Sequence, residues 1–178
     1  LEVELVAVPR FVSILNREAE ISIHLERPSV DQLVTRKLTD YRLALYASRA
    51  YLARNPPIEK REDLAGHAWI DYVDDLLFSQ ELKFLSSFCR NPKVVFHSTS
   101  VIAQHQAARS GLGIAVLPCF MAASDTELVS LLPGEGIERS YWISSRRELH
   151  KSVRLRVLWD YVVELCAREQ PLLLGEST

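Results

Sequence analysis

Ala107-Ala108-Arg109-Ser110-Gly111-Leu112-Gly113-Ile114-Ala115-Val116-Leu117-Pro118 is the stretch that indicates the fold of this chain most clearly. It predicts a helix that ends at Ser110-Gly111, because glycine readily takes the left-handed conformation that closes helices. An apolar strand should follow over 114–117, and Pro118 should end it. Gly113 lets the backbone pass closely under the helix end into a buried strand. Such a turn is typical of α/β proteins, although by itself it is common throughout that class.

Strand-like and helix-like segments alternate on both sides of this stretch. Period-two patterns and short apolar runs predict strands at 3–7, 20–25, 33–38, 41–47, 68–73, 94–96, 128–132 and 140–144. Helical spacing and capping residues predict helices near 11–18, 48–54, 60–66, 76–89, 98–109, 119–123 and 152–167. The first strand, helix and strand make a predicted βαβ unit, which is typical of parallel sheets. The expected class is α/β.

Composition narrows the possible functions. The chain has 178 residues, 48% of them hydrophobic and 25% charged, the mixture found in ordinary globular proteins. This length suits one large domain or two small lobes. The formal net charge is −2, whereas a domain that wraps nucleic acid usually carries a basic excess. We therefore expect that this segment does not hold DNA itself.

The cysteines and the N-terminal sequence bear on the compartment. Cys89, Cys119 and Cys166 are far apart and odd in number, which argues against a disulfide scaffold or a zinc site and fits a reducing cytoplasm. The sequence shows no charged-then-apolar leader and no apolar run of ~18 residues, so no signal peptide or membrane span is predicted. Because Leu1 falls inside a predicted strand, we expect a fragment whose first elements are missing.

The sequence shows none of the common catalytic motifs. It contains no G-x-S-x-G elbow, no H-E-x-x-H pair and no glycine-rich phosphate loop. Its five histidines have no metal-ligand spacing on one element, and Asp74-Asp75 fits a solvated pair at an element end. We predict that the chain is not an enzyme and uses no cofactor or metal.

Four segments, in order, resemble the effector-binding domain of LysR-type transcription regulators. Residues 17–24 (REAEISIH) are similar to that family's R-x-A-D-I-A-I-R strand, with Glu20 in place of the usual Asp. Residues 38–52 resemble its crossing strand and following helix, and residues 63–67 (DLAGH) resemble its D-L-x-x-H motif. Residues 107–118 match its A-x-x-G-x-G-I-A-x-L-P turn almost letter for letter. The order and spacing of these segments, over nearly the whole chain, carry the resemblance.

The resemblance implies two Rossmann-like α/β lobes joined by two crossing strands, as in type 2 periplasmic binding proteins. The first lobe would comprise 1–41 and 141–178, without its first strand and helix, and the second lobe would comprise 42–140. The chain would cross near Tyr41-Arg42 and Tyr141-Trp142. A ligand would sit in the cleft between the lobes, so one continuous sheet with no slot between its halves would count against the assignment. The winged helix-turn-helix of the family is expected to be absent from this chain.

The same fold implies where an effector would bind, at the carboxyl ends of strands. Ser98, Thr99 and Ser100 open a helix, where hydroxyls and free N–H groups suit an anion, although plain capping is the simpler role. Pro9-Arg10 would follow the first strand, and Arg10 would either pair with a carboxylate or be solvated. His24 would face the same rim, unless it is only a packed polar residue. Pro118-Cys119-Phe120 would form an apolar wall. We therefore expect the effector to be a small organic anion.

The resemblance also implies partners. The full-length protein would be a homodimer or homotetramer, pairing partly through the helix at 98–110, and would reach DNA only through the missing N-terminal domain. It would be cytoplasmic, with no membrane partner. A solute-binding protein of a transport system shares the fold and stays the alternative function.

Overall fold

The computed structural model describes residues 1–7 and 19–176. Its strands are β1 (Ile21–His24), β2 (Leu33–Ser48), β3 (Ala68–Asp71), β4 (Lys93–His97), β5 (Ile114–Pro118) and β6 (Leu128–Arg146). Its α-helices are α1 (Arg49–Leu52), α2 (Val101–Arg109), α3 (Cys119–Ala122), α4 (Val153–Arg168) and α5 (Gln170–Leu174). The strands form one hydrogen-bonded sheet in the order β1-β6-β2-β5-β3-β4. The α/β class is thus confirmed.

Two long antiparallel strands run through the middle of this sheet. β2 and β6 pair from Leu33 opposite Arg146 to Ser48 opposite Leu128. The sequence predicted two strands in place of each one, and this part of the prediction is wrong. The predicted breaks persist only as irregularities in register, between Lys37 and Thr39 and between Ala44 and Leu45. A bulge bends a strand without ending it, so hydrogen bonding continues from one half of the sheet into the other.

The two halves of the sheet differ in strand direction. β1 is antiparallel to β6, whereas β3 is parallel to both β4 and β5. The predicted N-terminal βαβ unit is not formed by the described residues: 1–7 make no strand and are all exposed, and 11–18 lie outside the described residues. A strand needs a paired neighbour to be stable, and residues 1–7 have none among the described strands. The parallel half of the sheet, formed by β3, β4 and β5, is therefore the Rossmann-like part of the structure.

Period-two alternation builds the core on both faces of the parallel half. Leu43, Leu45 and Ala47 of β2 pack in one buried cluster, while Ala44 and Tyr46 pack in another on the opposite face. β5 divides its side chains in the same way between the two clusters. This is the pattern of a strand covered on both faces. A third cluster, of Ile143, Leu155 and Trp159, fixes α4 to the other half of the sheet.

The region predicted as a helix at 76–89 folds differently. It forms three short 3₁₀ turns at Asp74–Leu76, Gln80–Leu82 and Leu85–Ser87. The hydroxyl oxygen of Ser79 accepts the backbone N–H of Glu81 at 3.0 Å, a local bond that competes with helix formation. Of the residues that helical spacing predicted to face the core, Leu82, Leu85 and Phe88 are buried and Leu77 is half-buried; Phe84 is buried as well, whereas Leu76 is exposed.

The D-L-A-G-H segment has a structural role. The carboxylate of Asp63 accepts the backbone N–H groups of Glu59 and Lys60, each at 3.0 Å, and so starts the 3₁₀ helix Arg61–Gly66. His67, only 2% exposed, places its Nδ1 3.1 Å from the hydroxyl of Tyr51. Ser48 accepts the N–H of Tyr51 at the start of α1, as its capping position predicted.

The turn between α2 and β5 depends on its two glycines. Gly111 has φ +83°, the left-handed conformation expected at a helix end. A Cβ at Gly113 would lie 2.5 Å from the carbonyl oxygen of Ala68 and 2.8 Å from its carbonyl carbon. The close approach predicted at Gly113 is therefore real, but the neighbour is the start of β3 rather than the end of the helix. Only glycine allows β5 to pair with β3 at this spacing.

We expect Gly113→Ala to lower the free energy of unfolding by about 1–3 kcal/mol, because the added methyl meets backbone that cannot rotate away. Gly134→Ala is the matched control, since a Cβ there has no atom within 4 Å; it should change stability by about 0.5 kcal/mol or less. Urea unfolding of both variants measures the difference. Equal stability of the two would contradict the role assigned to Gly113.

Candidate functional site

The carboxyl ends of the three parallel strands meet at one edge of the sheet. Asp71 at the end of β3 lies opposite His97 at the end of β4, and Pro118 ends β5 at the same edge. α2 begins just after β4, at Val101. In open parallel sheets this edge is where ligands bind. The described residues therefore supply one half of a candidate binding site, which we call the β3–β5 edge.

The hydroxyls of Ser98 and Ser100 are engaged in the start of α2. Ser98 Oγ accepts the N–H of Ser100 at 3.1 Å, and Ser100 Oγ accepts the N–H of Ala103 at 3.4 Å. The backbone N–H of Ser98 donates to the carbonyl oxygen of Asp71 at 3.0 Å, which fixes the helix start to β3. The half-buried Thr99 makes no side-chain hydrogen bond within the described residues. The two serine hydroxyls accept these bonds and keep their O–H groups to donate, and the Thr99 hydroxyl is the one of the three with no hydrogen-bond partner among the described residues.

Sequence reasoning missed an acid at this edge. Burial raises the pKa of Asp71 above its ordinary value, and the nearby carboxylate of Asp74 raises it further. His97 lies beside it, and its Nδ1–H donates to the carbonyl oxygen of Tyr72 at 2.9 Å. The signal was in the sequence: Asp71 is the one charged residue inside the otherwise apolar run 68–73. A half-buried acid at a strand end is a frequent feature of functional sites.

A group of tyrosines lies where β2 and β6 cross between the halves. The rings of Tyr41 and Tyr141 stack with centroids 4.2 Å apart and planes 13° from parallel. Burial raises the pKa of both hydroxyls, and it raises that of Tyr72 to about 12. Tyr72 in turn meets Phe84 edge to face at 6.0 Å. These phenols stay protonated at neutral pH, so each remains a hydrogen-bond donor. We refer to Tyr41, Tyr72 and Tyr141 as the tyrosine group.

Pro118, Cys119 and Phe120 lie at the β3–β5 edge but are largely covered. Pro118 and Cys119 are buried, and Phe120 is half-buried against the first core cluster. A Cβ at Gly175 would lie 2.8 Å from the Cβ of Cys119, so the end of α5 rests directly on this cysteine. Burial and the adjacent Cys119 raise the pKa of the Tyr46 hydroxyl. All three cysteines are free thiols.

The structure does not bring His24 to this edge. His24 Nε2 lies 2.7 Å from Ser144 Oγ, and burial lowers the pKa of the ring. The position of each residue along the sheet can be compared on β2. His24 lies level with Lys37, through its partner Trp142, whereas Pro118 lies opposite Leu43. Lys37 and Leu43 are six residues apart on the strand, which is roughly 20 Å. His24 belongs to the antiparallel half, and its contact with an effector stays a prediction. Pro9 and Arg10 lie outside the described residues, so their predicted contacts also remain predictions.

Two open surface cavities lie elsewhere, near the ends of β2 and β6 and the start of α4. They have volumes of about 750 Å³ and 540 Å³ and share Lys151. Their linings contain none of the predicted effector residues. Within residues 1–7 and 19–176, no group of acidic, histidine or cysteine side chains has the arrangement of a metal site. No helix in this part of the chain has the length and apolar character needed to cross a membrane.

Comparison with known protein families shows which family this chain belongs to. Residues 1–167 match the model of the LysR substrate binding domain. The chain belongs to the LysR substrate-binding domain family. That family consists of ligand-binding domains of transcription regulators and not of enzymes.

Curated relatives of this LysR domain are longer proteins. It is 25% identical to the HTH-type transcriptional regulator PtxR of Pseudomonas aeruginosa, with 99% of this chain and 58% of PtxR aligned. It is 26% identical to the HTH-type transcriptional regulator CrgA of Neisseria meningitidis, with 92% of this chain and 57% of CrgA aligned. The chain thus spans somewhat more than half the length of these relatives.

Solved structures confirm the periplasmic-binding-protein-like fold. The CrgA regulatory domain from Neisseria meningitidis superposes with a TM-score of 0.71 at 24% identity, over 85% of this chain and 77% of that one. A variant of the AphB regulatory domain from Vibrio vulnificus superposes with a TM-score of 0.66 at 21% identity, over 92% of this chain and 84% of that one. The continuous sheet is therefore compatible with the LysR fold, and our expectation that such a sheet would count against the assignment was too strict.

We expect Asp71→Asn to raise the melting temperature of the LysR domain at pH 7, because asparagine avoids burying a charge. The folded pKa of Asp71 is raised, so its destabilising effect appears as pH rises and vanishes below about 4, where the acid is neutral in both states. The gain from Asp71→Asn should accordingly shrink as pH falls. Thermal melts from pH 3 to pH 8 measure it, with the exposed Asp160→Asn as control. A gain that is constant across pH would contradict this account.

Proposed function

We propose that this LysR domain is the effector-sensing part of a DNA-binding transcription regulator and binds a small organic anion at the β3–β5 edge. The family match over residues 1–167 is the observation that carries the sensing role. The convergence of three strand ends, a helix start and the tyrosine group supports the location. The cleft would lie between a first lobe of 1–41 and 141–178 and a second lobe of 42–140, with the tyrosine group at the crossing.

The start of α2 supports an anionic effector. A nine-residue helix begins at the edge, and its first N–H groups carry the positive end of the helix dipole. Ser100 engages one of these groups, and Thr99 offers a further hydroxyl donor. The protonated tyrosines add donors without adding charge. The ionised carboxylate of Asp71 would repel an anion, and a bound carboxylate nearby would raise the pKa of Asp71 still further. A small anion that reaches Thr99 and the helix start while avoiding Asp71 fits this edge best.

Signal transmission would follow from a change in lobe angle. The effector acts only if it binds one arrangement of the lobes better than another. In the full-length protein this change would alter how a homodimer or homotetramer sits on DNA, which a separate N-terminal domain would contact in the cytoplasm. Exposed Ile102, on α2, and Leu112 support pairing through that helix, whereas Ala107 and Ala108 are buried against the domain's own sheet.

A solute-binding protein of a transport system is the second candidate, because it shares the two-lobed fold. Both curated relatives described above are transcription regulators, which favours the regulator. The coding sequence upstream of Leu1 separates the two functions: a helix-turn-helix supports the regulator and a secretory leader supports the transport protein.

We expect Thr99→Val to weaken binding of the effector about tenfold or more, since a hydrogen bond to a charged group is lost while the side chain keeps its shape. Thr126→Val is the matched control, an exposed threonine outside the edge. A melting-shift screen with mono- and dicarboxylates, and with their neutral amides, identifies the ligand, and calorimetry then compares the variants. Binding of the amides without the carboxylates would refute the anionic effector, and equal affinity of both variants would refute the role of Thr99.

A further inference from the structure

The end of β1 reaches the turns that follow β3. Leu25, directly after β1, packs against the first core cluster, which contains Tyr41 and Tyr72. Leu77 and Phe78, from the connection between β3 and β4, pack against the same cluster. Residues from the two ends of the sheet therefore meet beside the tyrosine group, although β1 and β3 are not neighbours in the sheet.

A carboxylate completes this contact. Glu26 Oε1 accepts the hydroxyl of Ser79 at 2.5 Å and the backbone N–H of Gln80 at 3.1 Å. Ser79 is only 5% exposed, and its oxygen also accepts the N–H of Glu81. Both hydrogen-bonding capacities of the Ser79 hydroxyl are thus in use. Hydrogen bonds to a carboxylate are about twice as strong as those between neutral groups.

The same turn is held from a second side. Glu81 forms an ion pair with Arg139 of β6, and Arg139 lies opposite Tyr41 in the strand register. The turn at Gln80–Leu82 is therefore attached to the crossing strands by Arg139 and to the end of β1 by Glu26. Among the hydrogen bonds of the described residues, those of Glu26 join the end of β1 to the connection between β3 and β4, beside the apolar packing of Leu25.

We propose that Glu26, with Ser79 and Gln80, is a clasp that holds the two lobes closed beside the tyrosine group. Release of the clasp removes one restraint on the angle between the lobes and leaves the contact of α5 with Cys119 in place; the second lobe then turns about the irregular positions of β2 and β6, at Lys37/Thr39 and Ala44/Leu45. An effector then has to favour either the clasped or the released arrangement. This last consequence rests on the proposed function, whereas the clasp itself does not.

Distance measurements between the lobes test the clasp without any effector. Spin labels are attached through Asp160→Cys on α4 and Lys93→Cys on β4, both exposed positions, in a Cys166→Ser background; Cys89 and Cys119 are buried. Glu26→Ala and Ser79→Ala should each shift the distance distribution to longer and broader values. Their combination should have no larger effect than either alone. Glu20→Ala, which removes an exposed ion pair with Arg154 inside the first lobe, should leave the distribution unchanged.

Amide exchange provides a second measurement, and Glu26→Gln a milder variant that keeps the side-chain shape if Glu26→Ala does not fold. Exchange of the Gln80 amide should accelerate about tenfold or more in Glu26→Ala, in line with the loss of a charged hydrogen bond. Faster exchange with an unchanged lobe distance would show a local contact only and overturn the clasp. Unchanged exchange and distance would overturn it as well. Failure of the carboxylate screen affects neither result.

Discussion

The antiparallel pairing of β2 with β6 is the constraint on which the rest of the structure depends. Every other part of the sheet attaches to one of these two strands: β1 pairs with β6, and β5, with β3 and β4 beyond it, pairs with β2. The pairing is long, so the two halves share one backbone hydrogen-bond network. It is interrupted only at bulges, and bulges bend strands where a flat ladder would stay rigid. The long ladder therefore keeps the two halves in register, and the bulges set the bend between them.

This constraint explains why polar and aromatic groups gather at the crossing. The strands bring Tyr41 and Tyr141 face to face, while the end of β3 brings Tyr72 to the same place. Phenols suit such a position, because each combines a large apolar ring with one hydrogen-bonding group. Two charged residues lie near it: Arg139, opposite Tyr41, is paired with Glu81, and Asp71 has a pKa raised by burial. A chain selected only for stability would avoid that acid, which is why we attach functional meaning to it.

The candidate site and the clasp use different kinds of interaction, and this matters for signalling. At the β3–β5 edge, backbone N–H groups and hydroxyls face the outside of a strand end, where an anion can replace water. At the clasp, the carboxylate of Glu26 already satisfies a buried serine hydroxyl and a backbone N–H. One set of donors is thus available to a ligand, and the other is occupied by the protein. In the proposed sensing role, a ligand would act only by binding one arrangement of the lobes better than the other.

The sequence by itself determined the elements that depend on local chemistry. Ser48, Ser100 and Gly111 end or begin helices through their own hydrogen bonds and backbone angles. The apolar runs at 68–73 and 114–117 predicted the buried strands β3 and β5, although β3 ends at Asp71. The motif at 107–118, with the order of three others, was sufficient to predict the family. The class of fold and the strand-end location of Ser98–Ser100 followed from these local features.

Only the tertiary structure decided the features that depend on long-range pairing. The merging of 33–48 and of 128–146 into single strands depends on hydrogen bonds between residues about a hundred positions apart, which no local pattern contains. The same holds for the separation of His24 from Pro118, for the covering of Cys119 by Gly175, and for the contact of Glu26 with Ser79. The turns at 74–88 replaced a predicted helix because burial against the first cluster does not require helical hydrogen bonding. Side-chain chemistry specifies how a short segment folds, but distances between segments follow only once the chain has closed on itself.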